Sequence, residues 1–346
     1  MTTRGPVAAI GRRDGDYDGR PTRRIESERL WVEVLATAGP RIVRLGLTGC
    51  EDNLLAETPD AGWDTPTGRY ELFGGHRLWF APEAASVAVP DSEGLVLEVE
   101  PGGVRLIGST EPTTGLVRSI AVGLDPEAAA VELRHELRNT GDASIELSPW
   151  AITQLPLGGV VLLPERAAIE GHRVSPNRSV VLWPYTSWED ERLELHDGLI
   201  VVRADAGRRL KLGYFNEAGW VGYLRAGMLL VRRFQPVVGV RHADLGCNVE
   251  TYCRDRFLEL ELLGPLVELA PGSTIVQTER WEVTRLEQDA DGGYSAAGGS
   301  AADVRAALAL LRSFGGPADG TSPLDRSPAP PPAAHRPISA PSGTAR

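Results

Sequence analysis

The sequence predicts an all-β protein: one large antiparallel β-sandwich, followed by a short C-terminal helix and a disordered tail. Three observations carry this. Between residues 24 and 287 the apolar stretches are short and bounded by Gly, Pro, Asn and Asp, as strands joined by turns require. Val131, Leu133, His135 and Leu137 alternate with Glu132, Arg134, Glu136 and Arg138, giving one apolar and one charged face. No part of this span has helical periodicity, which argues against β/α crossovers and a parallel sheet. A propeller would impose a repeat of ~40–50 residues, and none is present.

Four parts follow along the chain. Residues 1–23, rich in Arg, Asp and Gly, read as a loosely ordered arm. Residues 24–287 form the sandwich domain. Its first half has apolar, turn-bounded runs at 29–36, 41–47, 95–100, 104–108, 116–124, 131–138 and 144–147. The turn Asn139-Thr140-Gly141-Asp142 leads straight from the sixth run to the seventh. The second half continues at 199–204, 208–213, 220–224, 229–234, 256–262 and 273–283. Residues 288–314 combine a linker with a helix: Ser300 and Asp303 form a capping pair, Val304, Leu308 and Leu311 share one face, and Gly315-Gly316 ends it. From 315 to 346 Pro, Ala, Ser and Gly dominate, and such a segment buries too little apolar surface to offset its ordering entropy.

The chain has 346 residues, 42% of them hydrophobic, which is ample for a sizeable core. With 36 basic and 47 acidic residues the net charge is −11, the wrong sign for a general binder of nucleic acid or anionic membranes. No apolar run reaches the roughly 18 residues of a membrane span, and residues 1–18 have no apolar core of a secretory signal. Three cysteines make no disulfide framework, so a reduced, cytoplasmic location is expected. Lys211 is the sole lysine and sits in a strand-like run, which argues against Schiff-base chemistry.

Several clusters can carry chemistry. In Gly74-Gly75-His76-Arg77-Leu78-Trp79-Phe80-Ala81-Pro82-Glu83, two glycines permit a sharp turn. His76, Arg77, Trp79 and Glu83 then offer an imidazole, a bidentate donor, a stacking surface and a carboxylate. The competing reading is a loop whose polar groups cap carbonyls while Trp79 and Phe80 join the core. In Leu258-Glu259-Leu260-Glu261-Leu262 both carboxylates share one strand face, about 6.5–7 Å apart, close enough for one to raise the pKa of the other. The competing reading is an amphipathic strand with a solvated face. Asp244 begins a further stretch in which Asn248, Glu250 and Tyr252 share a face, pairing with the Glu259/Glu261 strand through a turn at Arg254-Asp255. Trp183, Tyr185 and Trp188 add aromatic surface in a long loop. His135 reads as a core histidine. The remaining histidines and cysteines lack metal-ligand spacing, so no metal is expected.

The run from Val34 to Leu45 with Asn53-Leu54-Leu55 resembles the opening hairpin of galactose-mutarotase-like (aldose 1-epimerase-like) proteins. So do Leu137-Arg138-Asn139-Thr140-Gly141-Asp142, Leu269-Ala270-Pro271-Gly272-Ser273 and Glu279-Arg280-Trp281. The Gly74–Trp79 and Glu259–Pro265 motifs look closest to a branch of that superfamily without an assigned function. The resemblance covers about residues 24–287. It implies a super-sandwich whose concave face binds a sugar, needs no cofactor, and opens and recloses the ring by acid–base catalysis. Glu261 matches the family's catalytic glutamate, with Glu259 in reserve. Where the family places its catalytic histidine, this chain has Ser148-Pro149-Trp150-Ala151-Ile152-Thr153-Gln154, so His76 is the candidate acid. Arg77, Trp79, Glu83, Trp183, Asp244, Asn248, Glu250, Tyr252 and Glu259 are the expected sugar-binding residues. Two functions follow: a cofactor-free aldose epimerase using Glu261 and His76, or a sugar-binding protein that kept the site and lost the chemistry. The first requires both side chains to flank one cavity.

Overall fold

A computed structural model describes residues 10–84, 88–165, 176–288, 294–295 and 302–313. Two large antiparallel sheets, of eleven and ten strands, dominate it. The eleven-stranded sheet has at its centre the strands His76–Ala81, Ile145–Leu155, Leu258–Leu263, Val249–Cys253 and Leu210–Tyr214, hydrogen-bonded in that order. The ten-stranded sheet centres on Met228–Phe234, Thr274–Arg285, Ala130–Asn139 and Leu116–Leu124. Among the described residues every strand pair is antiparallel, as the alternating patterns imply.

The core lies between the sheets. Leu78, Leu260, Leu262 and Val249 from one meet Ile120, Leu133, Leu137, Leu230 and Val283 from the other. The alternation at 131–138 plays out as expected: Val131, Leu133, His135 and Leu137 are buried, while Glu132, Arg134 and Arg138 are exposed. The outer face of the ten-stranded sheet is covered by the helix Ala302–Ser313, whose Val304, Ala307 and Leu308 pack on Leu162, Val201, Trp220 and Leu229. Such a helix is stabilised chiefly by this burial. The 315–346 tail, the Ser300 cap and most of the 289–299 linker lie outside the described residues.

Two differences from the sequence reading concern the N-terminal third. Residues 11–26 form a hairpin, Gly11–Tyr17 with Arg20–Glu26, at the edge of the larger sheet. Its first strand is almost wholly exposed, so it lacks the apolar face that marks a strand. The Gly-led segment is a central strand, not a loop. Gly74 and Gly75 both adopt positive φ, and a Cβ on either would strike backbone of Ala56 or Ile42. The chain turns there and enters the sheet at His76. No described helix is long and apolar enough to cross a membrane.

Candidate functional site

Register decides which side chains meet. Directly paired residues of an antiparallel sheet point to the same face, with Cβ atoms about 4.5–5.5 Å apart. Trp150 pairs with Trp79 on one side and Leu263 on the other; Ile152 joins Arg77 to Glu261; Gln154 faces Glu259. Glu261 pairs with Glu250, Glu259 with Tyr252, and Tyr252 with Lys211. Arg77, Trp79, Trp150, Gln154, Lys211, Glu250, Tyr252, Glu259 and Glu261 therefore share the outer face of the eleven-stranded sheet. Their neighbours along each strand, Leu78, Thr153, Leu260, Leu262 and Leu212, point inward.

Lys211 is the hub. Its Nζ lies 2.8 Å from Glu250 Oε2 and 3.0 Å from Glu261 Oε2, between the rings of Trp150 (4.8 Å) and Trp183 (4.7 Å). Trp150 Nε1 donates to Glu261 Oε2 at 2.7 Å. Beside this hub, Arg77 Nη2 and Gln154 Nε2 both donate to Glu259 Oε1 at 2.9 Å, and Arg77 stacks over Trp79 at 4.4 Å. Trp183 is held by its loop: its N–H and the Thr186 hydroxyl both donate to the Lys211 carbonyl, and Thr186 Oγ1 accepts from the Lys211 N–H. Tyr185 meets Tyr252 edge-on at 6.5 Å, and Glu83 is exposed close enough for its charge to act on Tyr185.

Burial and like charge set the protonation pattern. Burial raises the Glu250 carboxyl pKa, the Glu261 charge raises it further, and Lys211 only partly opposes this. Asp244 adds to the rise, which places it near the cluster. Glu261 is raised by burial while Lys211 pulls it back. Burial alone would lower Lys211, but Glu261 and Glu250 outweigh it and keep the ammonium protonated. Because burial and like charge oppose a second ionisation, two such carboxyls beside one cation can stand side by side, one proton-bearing and one ionised. Several buried polar atoms here have no protein hydrogen-bond partner: Arg77 Nε and Nη1, Gln154 Oε1, Glu250 Oε1 and Glu261 Oε1. Among the described residues no three His, Cys, Asp or Glu are grouped so as to hold a metal ion.

Two expected site residues are elsewhere. His76 points inward, away from Glu261. Its Nδ1 lies 2.8 Å from Thr153 Oγ1 and its Nε2 2.7 Å from His135 Nε2 on the opposite sheet. It is fully buried, and burial and His135 together hold its pKa well below the usual range. His76 and Glu261 thus stand on opposite faces of one sheet and cannot flank one cavity. The reason is strand parity: His76 and Arg77 are adjacent, so only one can face outward. Asn248 is also structural. Its side chain accepts the Asn216 N–H at 2.6 Å and donates to the Asn216 carbonyl at 3.0 Å. Glu259 and Glu261 read correctly as one face, and Arg77, Trp79, Trp183, Glu250 and Tyr252 join them. Sequence reasoning missed Trp150, Gln154 and Lys211. The Leu210-Lys211-Leu212 alternation signals the lysine, whereas Ile145–Leu155 is almost entirely buried and shows no alternation.

No protein-family model matches the chain, and no curated protein does. Among solved structures it is similar to a TPR-domain containing protein from Parabacteroides distasonis, with a TM-score of 0.52 at 13% identity over 78% of this chain. This chain spans about half of that one, 48% of its length. It is also similar to galactose mutarotase-like proteins from Lactobacillus casei (TM-score 0.48, 10% identity, covering 76% of this chain and 99% of that one) and Clostridium acetobutylicum (0.47, 8%, 80% and 99%). At these identities the likeness is one of fold.

Proposed function

We propose that the protein binds an uncharged sugar ring on the outer face of the eleven-stranded sheet, over Arg77, Gln154, Glu250, Glu259 and Glu261. One observation carries this reading: buried donors and acceptors without protein partners converge there, beside the rings of Trp79, Trp150 and Trp183. Buried polar groups are normally satisfied, so such a cluster suits a ligand presenting both donors and acceptors. Hydroxyl groups do that, while the ring's C–H face suits the aromatic planes. Both buried cations already have carboxylate partners, which disfavours a phosphate or carboxylate ligand. The motif resemblance to galactose-mutarotase-like proteins points the same way. The test is calorimetric titration with a panel of neutral monosaccharides and their phosphates. A neutral sugar should bind, Trp183→Ala should weaken it by about tenfold with little change in melting temperature, and the phosphates should bind less well. Failure of every neutral sugar to bind overturns the reading.

A second reading, aldose epimerisation, is favoured by the Glu250–Lys211–Glu261 arrangement. With His76 on the inner face, Glu250 takes the acid's place. Ionised Glu261 removes the anomeric hydroxyl proton, and protonated Glu250 delivers one to the ring oxygen as the C1–O5 bond breaks. The ring opens to the aldehyde, which rotates about the C1–C2 bond. It recloses by the reverse transfers, so no proton is gained or lost. Burial and mutual repulsion oppose a second negative charge on the pair, while Lys211 stabilises the one that is ionised. Glu261→Gln should retain binding and abolish exchange between α and β anomers observed by NMR; general base catalysis contributes ~10²–10⁴-fold. A wild-type rate equal to buffer leaves binding alone.

A further inference from the structure

The hairpin of Glu57–Thr65 with Gly68–Gly74 carries an aromatic group that the cluster around Lys211 does not use. Trp63 pairs with Tyr70 across this hairpin, their ring centroids 4.9 Å apart, and meets Trp79 edge-on at 6.5 Å. Trp79 in turn contacts Trp150 at 5.7 Å, and Trp150 bonds Glu261. A continuous row of aromatic rings therefore runs from Trp63 to the carboxylates. Tyr70, Trp79 and Trp150 are buried, at 0%, 5% and 3% exposure, whereas Trp63 is 42% exposed.

Two further features show that this placement is built. The hairpin register shifts between Thr58 and Gly62, immediately before Trp63. Bulges of this kind re-aim side chains and recur beside binding sites. The hairpin is also pinned to the turn that ends the Val249–Cys253 strand, where Arg256 Nη2 lies 2.6 Å from Asp60 Oδ1. Trp63 stands at the far end of the row, half-exposed.

We propose that Trp63 forms a second sugar subsite, so that the ligand is an oligosaccharide: one ring over Glu261, Glu259 and Arg77, the next stacked on Trp63. This rests on the sugar-binding reading above. Trp63 stands one ring step, 6.5 Å, from Trp79, over which Arg77 stacks; that step is comparable to one pyranose unit, and an exposed indole suits its C–H face.

The experiment is calorimetric titration of the full chain with glucose and galactose against cellobiose, maltose and lactose. At least one disaccharide should bind tenfold or more tightly than its monosaccharide. Trp63→Ala should erase that gain while leaving monosaccharide affinity within twofold, and Trp63→Phe should restore part of it. Equal affinity for mono- and disaccharides in the wild type overturns the subsite and leaves the sugar-binding reading intact; so does a Trp63→Ala variant that loses both alike. If no sugar binds the wild type, both fall. The chain-length comparison needs no variant, so it decides the matter even if Trp63→Ala does not fold.

Discussion

A charged cluster lies against each face of the eleven-stranded sheet, the inner one supplied largely by the ten-stranded sheet, and the two differ in their bonding. On the inner face, Arg232 donates to Glu279 and to the carbonyls of Leu260 and Ala151, and Trp281 Nε1 donates to Glu279 at 2.8 Å. His76, His135 and Thr153 complete the network, and every side-chain nitrogen and oxygen of these six residues has a partner. On the outer face Arg77, Gln154, Lys211, Glu250 and Glu261 are buried too, yet several of their atoms are unpartnered. A satisfied network holds two sheets in one arrangement, while an unsatisfied one keeps bonding capacity for something else. Charge does not separate the two clusters; bond accounting does.

Four substitutions or conditions sharpen this contrast. The largest effect belongs to the inner face. Arg232→Ala leaves Glu279 with an uncompensated buried charge and should cost about 3–5 kcal/mol in urea unfolding. An outer-face Arg77→Ala should instead act on ligand. Glu259 is partly exposed and keeps Gln154, so stability changes less, while sugar affinity falls by about 1.5–3 kcal/mol, the usual worth of a charged hydrogen bond. Were Arg77→Ala to destabilise as much as Arg232→Ala with affinity unchanged, both faces would be structural. His76→Leu should cost about 1–3 kcal/mol by leaving His135 and Thr153 short of a partner, with no effect on sugar binding.

The fourth effect is a slope with pH, not the loss of a contact. Glu250 is pushed up to about 9, by burial and by Glu261, from an ordinary value of 4.5. Between those pH values the folded chain holds a proton that the unfolded chain has released. Its contribution to stability is therefore complete at low pH and lost as pH rises toward the folded value, with a slope of at most about 1.4 kcal/mol per unit. Glu250→Gln should flatten that part of the unfolding profile, and an unchanged slope would assign the titration to another group.

How much of this was legible in the sequence depends on whether a strand has one wet face. Residues 131–138 and 258–263 alternate visibly, and both their strands and the shared face of Glu259 and Glu261 could be read directly. His76–Ala81 and Ile145–Leu155 are covered on both sides, so pattern cannot say which residues point where. His76 was misplaced for that reason, and its partner His135 is 59 residues away on another sheet. The N-terminal hairpin left one local trace: Asp18-Gly19, both at positive φ, is a two-residue hairpin turn. Its flanks were too polar to support it.

That the chain has a single lysine, and that this lysine sits between two carboxyls under two indoles, gives the protein a built-in chemical reporter. Amine-directed acylating reagents attack the unprotonated form, and Lys211 is both protonated and covered. The only other amine is the N-terminal one, so a mass spectrum of the acylated protein has two countable positions. Modification at Lys211 then measures how often the Trp183 loop lifts from the sheet, and a bound sugar that holds that loop down would slow it.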